Sequence, residues 1–157
     1  MITLTRIDDR LIHGQVATQW VTSTQANNIY IVDDETADDE FSVMVCKGLA
    51  PLRTEVHVLH VEEAIDVLKQ ADEDSDNRAL IIVKVPTPII RMVEGGVNIK
   101  TVIVGGMGKR DDRKVFYRAI HASDEEINQL KQLAEKGIDV ECQIVPSDKA
   151  TPISKIV

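Results

Sequence analysis

Ala79-Leu80-Ile81-Ile82-Val83-Lys84-Val85, followed by Pro86-Thr87-Pro88, decides the fold. An unbroken apolar run this short is a strand with both faces covered, since a strand with one wet face alternates in polarity. Proline fits a first helical turn, so a helix opens directly after the strand, and Gly95-Gly96 closes it. Two further runs, Ile29–Val32 and Thr101–Val104, share the doubly buried pattern. Working outward, the candidate strands are Ile2–Ile7, Asn28–Asp33, Glu55–His60, Ala79–Val85, Lys100–Gly105, Val115–Ile120 and Asp139–Val145. Helix-period stripes fall between them: Val16, Ala17, Trp20 and Val21 form one, and Ala64, Ile65, Val67 and Leu68 another. Ser123-Asp124-Glu125-Glu126 has the form of a capping box ahead of a stripe of Ile127, Leu130, Leu133 and Ala134, with Gly137 at the stop. This rhythm predicts an α/β fold: an open, mostly parallel twisted sheet of about seven strands with helices on both faces. With short connections and no internal repeat or linker, one domain is expected over residues 1–157.

Bulk composition narrows the function classes. Against 18 basic side chains stand 26 acidic ones, a net charge of −8, which repels a nucleic-acid backbone. No run approaches the roughly 18 apolar residues of a membrane span, and the start of the chain lacks a basic-then-apolar signal pattern. A cytoplasmic location is expected. Cys46 and Cys142 stand far apart with no metal-ligand spacing around either, and are read as reduced, packed thiols.

The chemistry concentrates in Arg6-Ile7-Asp8-Asp9-Arg10-Leu11-Ile12-His13-Gly14-Gln15-Val16. A strand runs into a turn bearing two acids and two arginines, and His13 and Gly14 stand where an amphipathic helix begins. In an open parallel sheet that junction lies in the crevice at the carboxyl ends of the strands. A helix N-terminus there offers unpaired N–H groups and partial positive charge, which suit a phosphoryl group on or beside His13. Gly14 permits close backbone approach, and Arg6 and Arg10 are candidate donors of charge-assisted hydrogen bonds to phosphate oxygens. One imidazole nitrogen can attack while the other is hydrogen-bonded, and Asp8 or Asp9 is the candidate orienting partner. Such a transfer needs alignment and charge stabilisation, which arginines and amides supply without a metal. A plainer alternative is a buried junction histidine beside an Arg6–Asp9 salt bridge, with both acids forming the turn.

Other features carry weaker signals. Asp33-Asp34 ends the second strand and either lines the same crevice, for a metal or partner, or caps the next helix. Gly105-Gly106-Met107-Gly108 admits a phosphate or makes a tight turn, but has neither a Walker-type nor a dinucleotide spacing. That absence argues against a nucleotide-sensing module. Lys109, Arg110, Arg113 and Lys114 form a basic cluster suited to an acidic partner, to phosphate or simply to solvent. His57, His60 and His121 have no companions at catalytic or metal spacing.

The Arg6–Val16 segment closely resembles the phosphorylation-site motif of the IIB component of mannose/fructose/sorbose-type sugar phosphotransferase systems. The resemblance extends through Val32-Asp33-Asp34, Lys84-Val85-Pro86, Val93-Glu94-Gly95-Gly96-Val97, Val104-Gly105-Gly106-Met107 and Val145-Pro146. It implies that His13 accepts a phosphoryl group on Nδ1 from the phosphohistidine of a IIA protein or domain. The group then passes to a sugar entering through membrane IIC and IID components. Arg6 and Arg10 match the family's phosphate-binding arginines, with Gly14 and Gln15 beside them, and no dissociable cofactor or metal is implied. The protein would lie against the inner face of the membrane through that complex. Lys109-Arg110-Asp111-Asp112 departs from the small residues common at that place in the family, and neither the sugar nor the oligomeric state is legible.

Overall fold

The computed structural model describes residues 1–157. Six parallel strands come first to view: β1 (Ile2–Asp8), β2 (Asn28–Val32), β3 (Glu55–Leu59), β4 (Ala79–Val83), β5 (Thr101–Gly106) and β8 (Asp139–Cys142). With β9 (Thr151–Pro152), antiparallel to β8, they form one sheet of seven strands in the order β3-β2-β4-β1-β5-β8-β9. The expected α/β architecture is therefore present, with one strand assigned wrongly. Val115–Ile120 is not a sheet strand: Arg118 at φ 50° breaks it into a separate hairpin of β6 (Lys114–Tyr117) and β7 (Ile120–Ala122). The seventh sheet strand is instead β9.

Alternation along the central strands splits the core. Ile29, Ile31, Leu80, Ile82 and Ile103 face α1 (Gly14–Thr24) and α3 (Glu40–Gly48), where they meet Ala17, Trp20 and Cys46. On the opposite face Tyr30, Val32, Ile81, Val83, Val102 and Val104 meet α4 (Val61–Glu73), α5 (Thr87–Glu94) and α6 (Asp124–Glu135). Most of these side chains are fully buried, each stabilising by about 1.5–3 kcal/mol relative to exposure. The predicted stripes supply the helical halves: Ala64 and Leu68 from α4, Leu130 and Leu133 from α6. A short helix, α2 (Asp34–Asp38), links β2 to α3, and Asp33 caps it by accepting from the Thr36 amide. No helix is long and apolar enough to cross a membrane. Both cysteines are free and buried.

What matters for the site is the order β4-β1-β5. Leu4, Arg6 and Asp8 share one parity, so the side chains of Arg6 and Asp8 leave β1 on the face covered by α1, at the carboxyl end of the sheet.

Candidate functional site

Strand β1 runs one residue further than its hydrophobic pattern suggests, pairing Asp8 with Gly106 of β5. That residue fixes the side-chain directions of the site. Asp8, 1% exposed, is the hub: Oδ2 accepts from Arg6 Nη2 at 3.2 Å and meets His13 Nε2 at 2.9 Å. Oδ1 accepts from the Arg10 amide at 3.0 Å. A carboxylate that faces an arginine only accepts hydrogen bonds, so the His13 contact requires the proton on Nε2. Nδ1, which has no protein partner, then carries the free lone pair of the neutral ring. The His13 side chain is 21% exposed, so the ring is reachable from solvent. The alternative of a sealed junction histidine with an Arg6–Asp9 pair does not describe this geometry.

Arg6 is 3% exposed and held from several sides. Besides Asp8 it donates from Nη1 to the Gln143 carbonyl at 3.2 Å, and its guanidinium lies over the Trp20 ring, 5.1 Å from the centroid. Trp20 is held in turn by an Nε1–H donated to the Ile144 carbonyl. Burial lowers the Arg6 pKa while Asp8 opposes the shift, and an arginine remains charged regardless. Space for this side chain comes from β5. A Cβ on Gly105 would lie 2.0 Å from Arg6 Nη1, and one on Gly106 would lie 2.7 Å from Asp8 Oδ1. These glycines therefore serve the buried Arg6–Asp8 pair, and Gly105-Gly106 is neither a loop cradle nor a tight turn.

The connecting turn is tied at several points. The Leu11 amide donates to the Asp8 carbonyl, and the Leu11 and Ile12 side chains are buried against the α1 side of the core. Leu11 adopts φ 57°, a left-handed conformation that costs a non-glycine residue about 1 kcal/mol. His13 is the N-cap residue of α1, with Gly14 at φ 42° after it. The space a Gly14 side chain would enter is empty, so the first helical turn is open to a ligand. Gln15 is exposed there, and Arg10, its side chain 72% exposed, extends from the same turn.

Asp9, the other candidate orienting acid, does not approach His13. It accepts from the Gly108 amide at 2.7 Å and from Arg113 Nη1 at 2.9 Å. Arg113 is buried, unlike the exposed Lys109, Arg110 and Lys114 around it, so the basic cluster is not one solvated surface. Asp33 pairs with Lys84 at 3.4 Å and caps α2, while Asp34 accepts from the Val61 amide. No group of three or more His, Cys, Asp or Glu side chains is arranged to hold a metal ion.

Sequence reasoning missed an apolar surface beside the site. Phe41, Met44, Val45 and Leu49 of the α3 region are exposed, Phe41 by 67%. Some of them border a groove of about 240 Å³ that Arg10, Leu11, Ile12 and Lys84 also line. The spacing of these four residues at 41, 44, 45 and 49 was its only signal.

Comparison with known proteins sets this geometry in a family. The chain is 37% identical over 148 residues to the mannose-specific EIIAB component of the phosphotransferase system of Escherichia coli, an alignment covering 94% of this chain and 46% of that one. It thus spans about half the length of that relative. It is 30% identical to the fructose-specific EIIB component of Bacillus subtilis, covering 99% of this chain and 95% of the relative. The crystal structure of the IIBSor domain of the sorbose permease from Klebsiella pneumoniae superposes with a TM-score of 0.93 at 32% identity, covering 99% of this chain and 94% of the other. The family model for the sorbose-subfamily IIB component of the phosphotransferase system matches residues 2–157, and the chain belongs to that family.

Proposed function

We propose that this chain is a phosphocarrier and phosphotransferase of sugar uptake, with His13 as the covalent relay. The observation that carries the reading is the His13 ring itself, pinned by Asp8 at Nε2 and unpartnered at Nδ1, at the mouth of α1. The Nδ1 lone pair attacks the phosphorus of a phosphohistidine on a IIA protein or domain. As the new N–P bond forms, the donor's N–P bond breaks and its electron pair returns to the donor imidazole. In the second step a sugar hydroxyl oxygen attacks the phosphorus, the bond to His13 breaks, and the hydroxyl proton passes to solvent. The transferred group carries spread negative charge, which fixed donors stabilise without reorganising. Arg10 and the amides of Gly14 and Gln15 are the direct partners of its oxygens. Arg6 acts from beneath, holding the Asp8 carboxylate aimed at Nε2, and the positive charge that develops on the ring is balanced by Asp8.

A protein donor suits the apolar groove between α3 and the Arg10–Ile12 turn, because docking needs a desolvated contact around the transferring group. Membrane IIC and IID components and a sugar are the downstream partners by family, holding the chain at the inner, cytoplasmic face of the membrane.

Incubation with the phosphorylated IIA domain of a mannose-type system tests the reading. Acid-labile, base-stable phosphate should appear on His13, and His13→Ala should abolish it. Undiminished labelling of that variant overturns the assignment. Arg10→Ala should fold normally, being exposed, and transfer on the order of 10²-fold more slowly, as losing a charge-stabilising donor does.

A further inference from the structure

Asp8 and Asp9 are adjacent, yet they serve opposite sides of the turn. Asp8 grips His13, whereas Asp9 binds the end of β5 and the segment after it: its amide donates to the Gly106 carbonyl at 2.7 Å, and its carboxylate accepts from the Gly108 amide and Arg113. All three nitrogens of Arg113 donate. Nε and Nη2 form a fork onto Glu126, each at 2.8 Å, and Nη1 is shared between Asp9 and the Gly108 carbonyl. Glu126 cannot yield, because it is fixed in the capping box of α6 with Ser123. A rigid path thus runs from the α6 N-terminus through Glu126, Arg113 and Asp9 into the turn that carries His13.

We infer that Arg113 is a positioning residue for phosphotransfer, holding the His13 turn in place through Asp9. The inference rests on the phosphocarrier reading above. Glu126 alone would neutralise Arg113, and Asp9, whose side chain is 33% exposed, would be stable in water. The third bond therefore does something that charge balance does not require. What it does is apparent at Leu11, two residues on, whose left-handed backbone persists only where its surroundings over-determine it. Asp8 and the buried Leu11 and Ile12 side chains hold the turn from the α1 side, and on the other the Asp9–Arg113 contact fixes the Asp9 carboxylate beside that residue's bonds to Gly106 and Gly108. Loss of that contact lets the ring drift from the attack geometry, where displacements near 1 Å lower rates by on the order of 10²-fold.

The test compares Asp9→Ala, Arg113→Lys and the double variant in single-turnover transfer from the same phosphorylated IIA domain. Ring ¹⁵N spectra of His13 are recorded in parallel. Asp9→Ala leaves the Arg113–Glu126 fork intact and so keeps the fold even if Arg113→Lys does not. Expected are a fall of about tenfold in the transfer step for each single variant, no further fall in the double, and a donor KM that stays unchanged. The His13 ring should lose its single Nε2–H tautomer in all three. Wild-type rates with wild-type ring signals in Asp9→Ala overturn the inference, as do effects that multiply in the double variant. Should the wild-type chain take no phosphate on His13, the phosphocarrier reading falls and the role of Arg113 in transfer falls with it, whereas wild-type labelling with unchanged rates and ring signals in Asp9→Ala overturns the positioning role alone.

Discussion

At the scale of single residues, the site is built on an absence at position 105. Arg6 is a buried cation whose charge is tolerable only while Asp8, the Gln143 carbonyl and the Trp20 face surround it. Gly105→Ala places a methyl 2.0–2.3 Å from three guanidinium atoms, and neither a β-strand backbone nor a buried arginine tied to Asp8 and the Gln143 carbonyl can move away cheaply. The expected loss of stability is about 2–4 kcal/mol, read from urea midpoints, together with slower labelling of His13 as Asp8 shifts. Gly14→Ala is the control: it meets no neighbour, and its φ of 42° costs about 1 kcal/mol. Equal stability of the two variants would show that Arg6 does not lie across β5. The choice between Asp8 and Asp9 as the partner of His13 was open in the sequence because it depends on where β1 ends. The apolar pattern stops at Ile7, but backbone pairing continues to Asp8, and strand alternation then sends Asp8 to the face of Arg6 and α1. Arg113 was unreadable for a different reason: nothing in a run of Lys, Arg and Asp says which one turns inward.

At the scale of elements, the helix ends were legible and the short edges were not. Ser123 and Glu126 announce a capping box, and both of its bonds are present. Ser123→Ala should cost about 1 kcal/mol in thermal or urea unfolding. Glu126 has a second task in the fork from Arg113, and its titration reports it. Burial pushes the Glu126 pKa up, but the bonds from Arg113 and Ser123 outweigh burial and bring it below the ordinary 4.5. A carboxylate depressed on folding stabilises the fold above its unfolded pKa, and that contribution fades as pH falls through the folded value. The stability gap between wild type and Glu126→Gln should therefore be widest near pH 7 and narrow from about pH 4.5 downward. A gap independent of pH would show that the carboxylate charge does not contribute. By contrast, the β6–β7 hairpin turns on Arg118-Ala119 without the glycine or asparagine that usually marks a two-residue loop, so its sequence reads as one strand. β9 is two residues long and includes a proline, too little to leave a periodic signal.

At the scale of the whole molecule, two apolar clusters share one sheet, and the consequence is a definite mode of unfolding. The cluster against α1 and α3 holds Trp20 and Cys46, and the one against α4, α5 and α6 holds Cys142. The central strands β2, β4 and β5 contribute alternate residues to both, so neither layer can lose its packing while the other keeps a covered sheet. The unbroken apolar runs that revealed the fold in the sequence thus also couple its two halves. The chain's thiols and its single tryptophan provide the probes. Burial raises the Cys46 thiol pKa and pushes that of Cys142 up to about 11, so in the native state both are shielded and protonated at pH 8. Labelling at either position then requires opening of its own cluster. Across a urea series, alkylation of Cys46, alkylation of Cys142 and Trp20 fluorescence should give one midpoint, as a two-state unit does. If Cys142 labels at clearly lower urea than Cys46 and Trp20 respond, the layers unfold separately and residues 1–157 are not one cooperative domain.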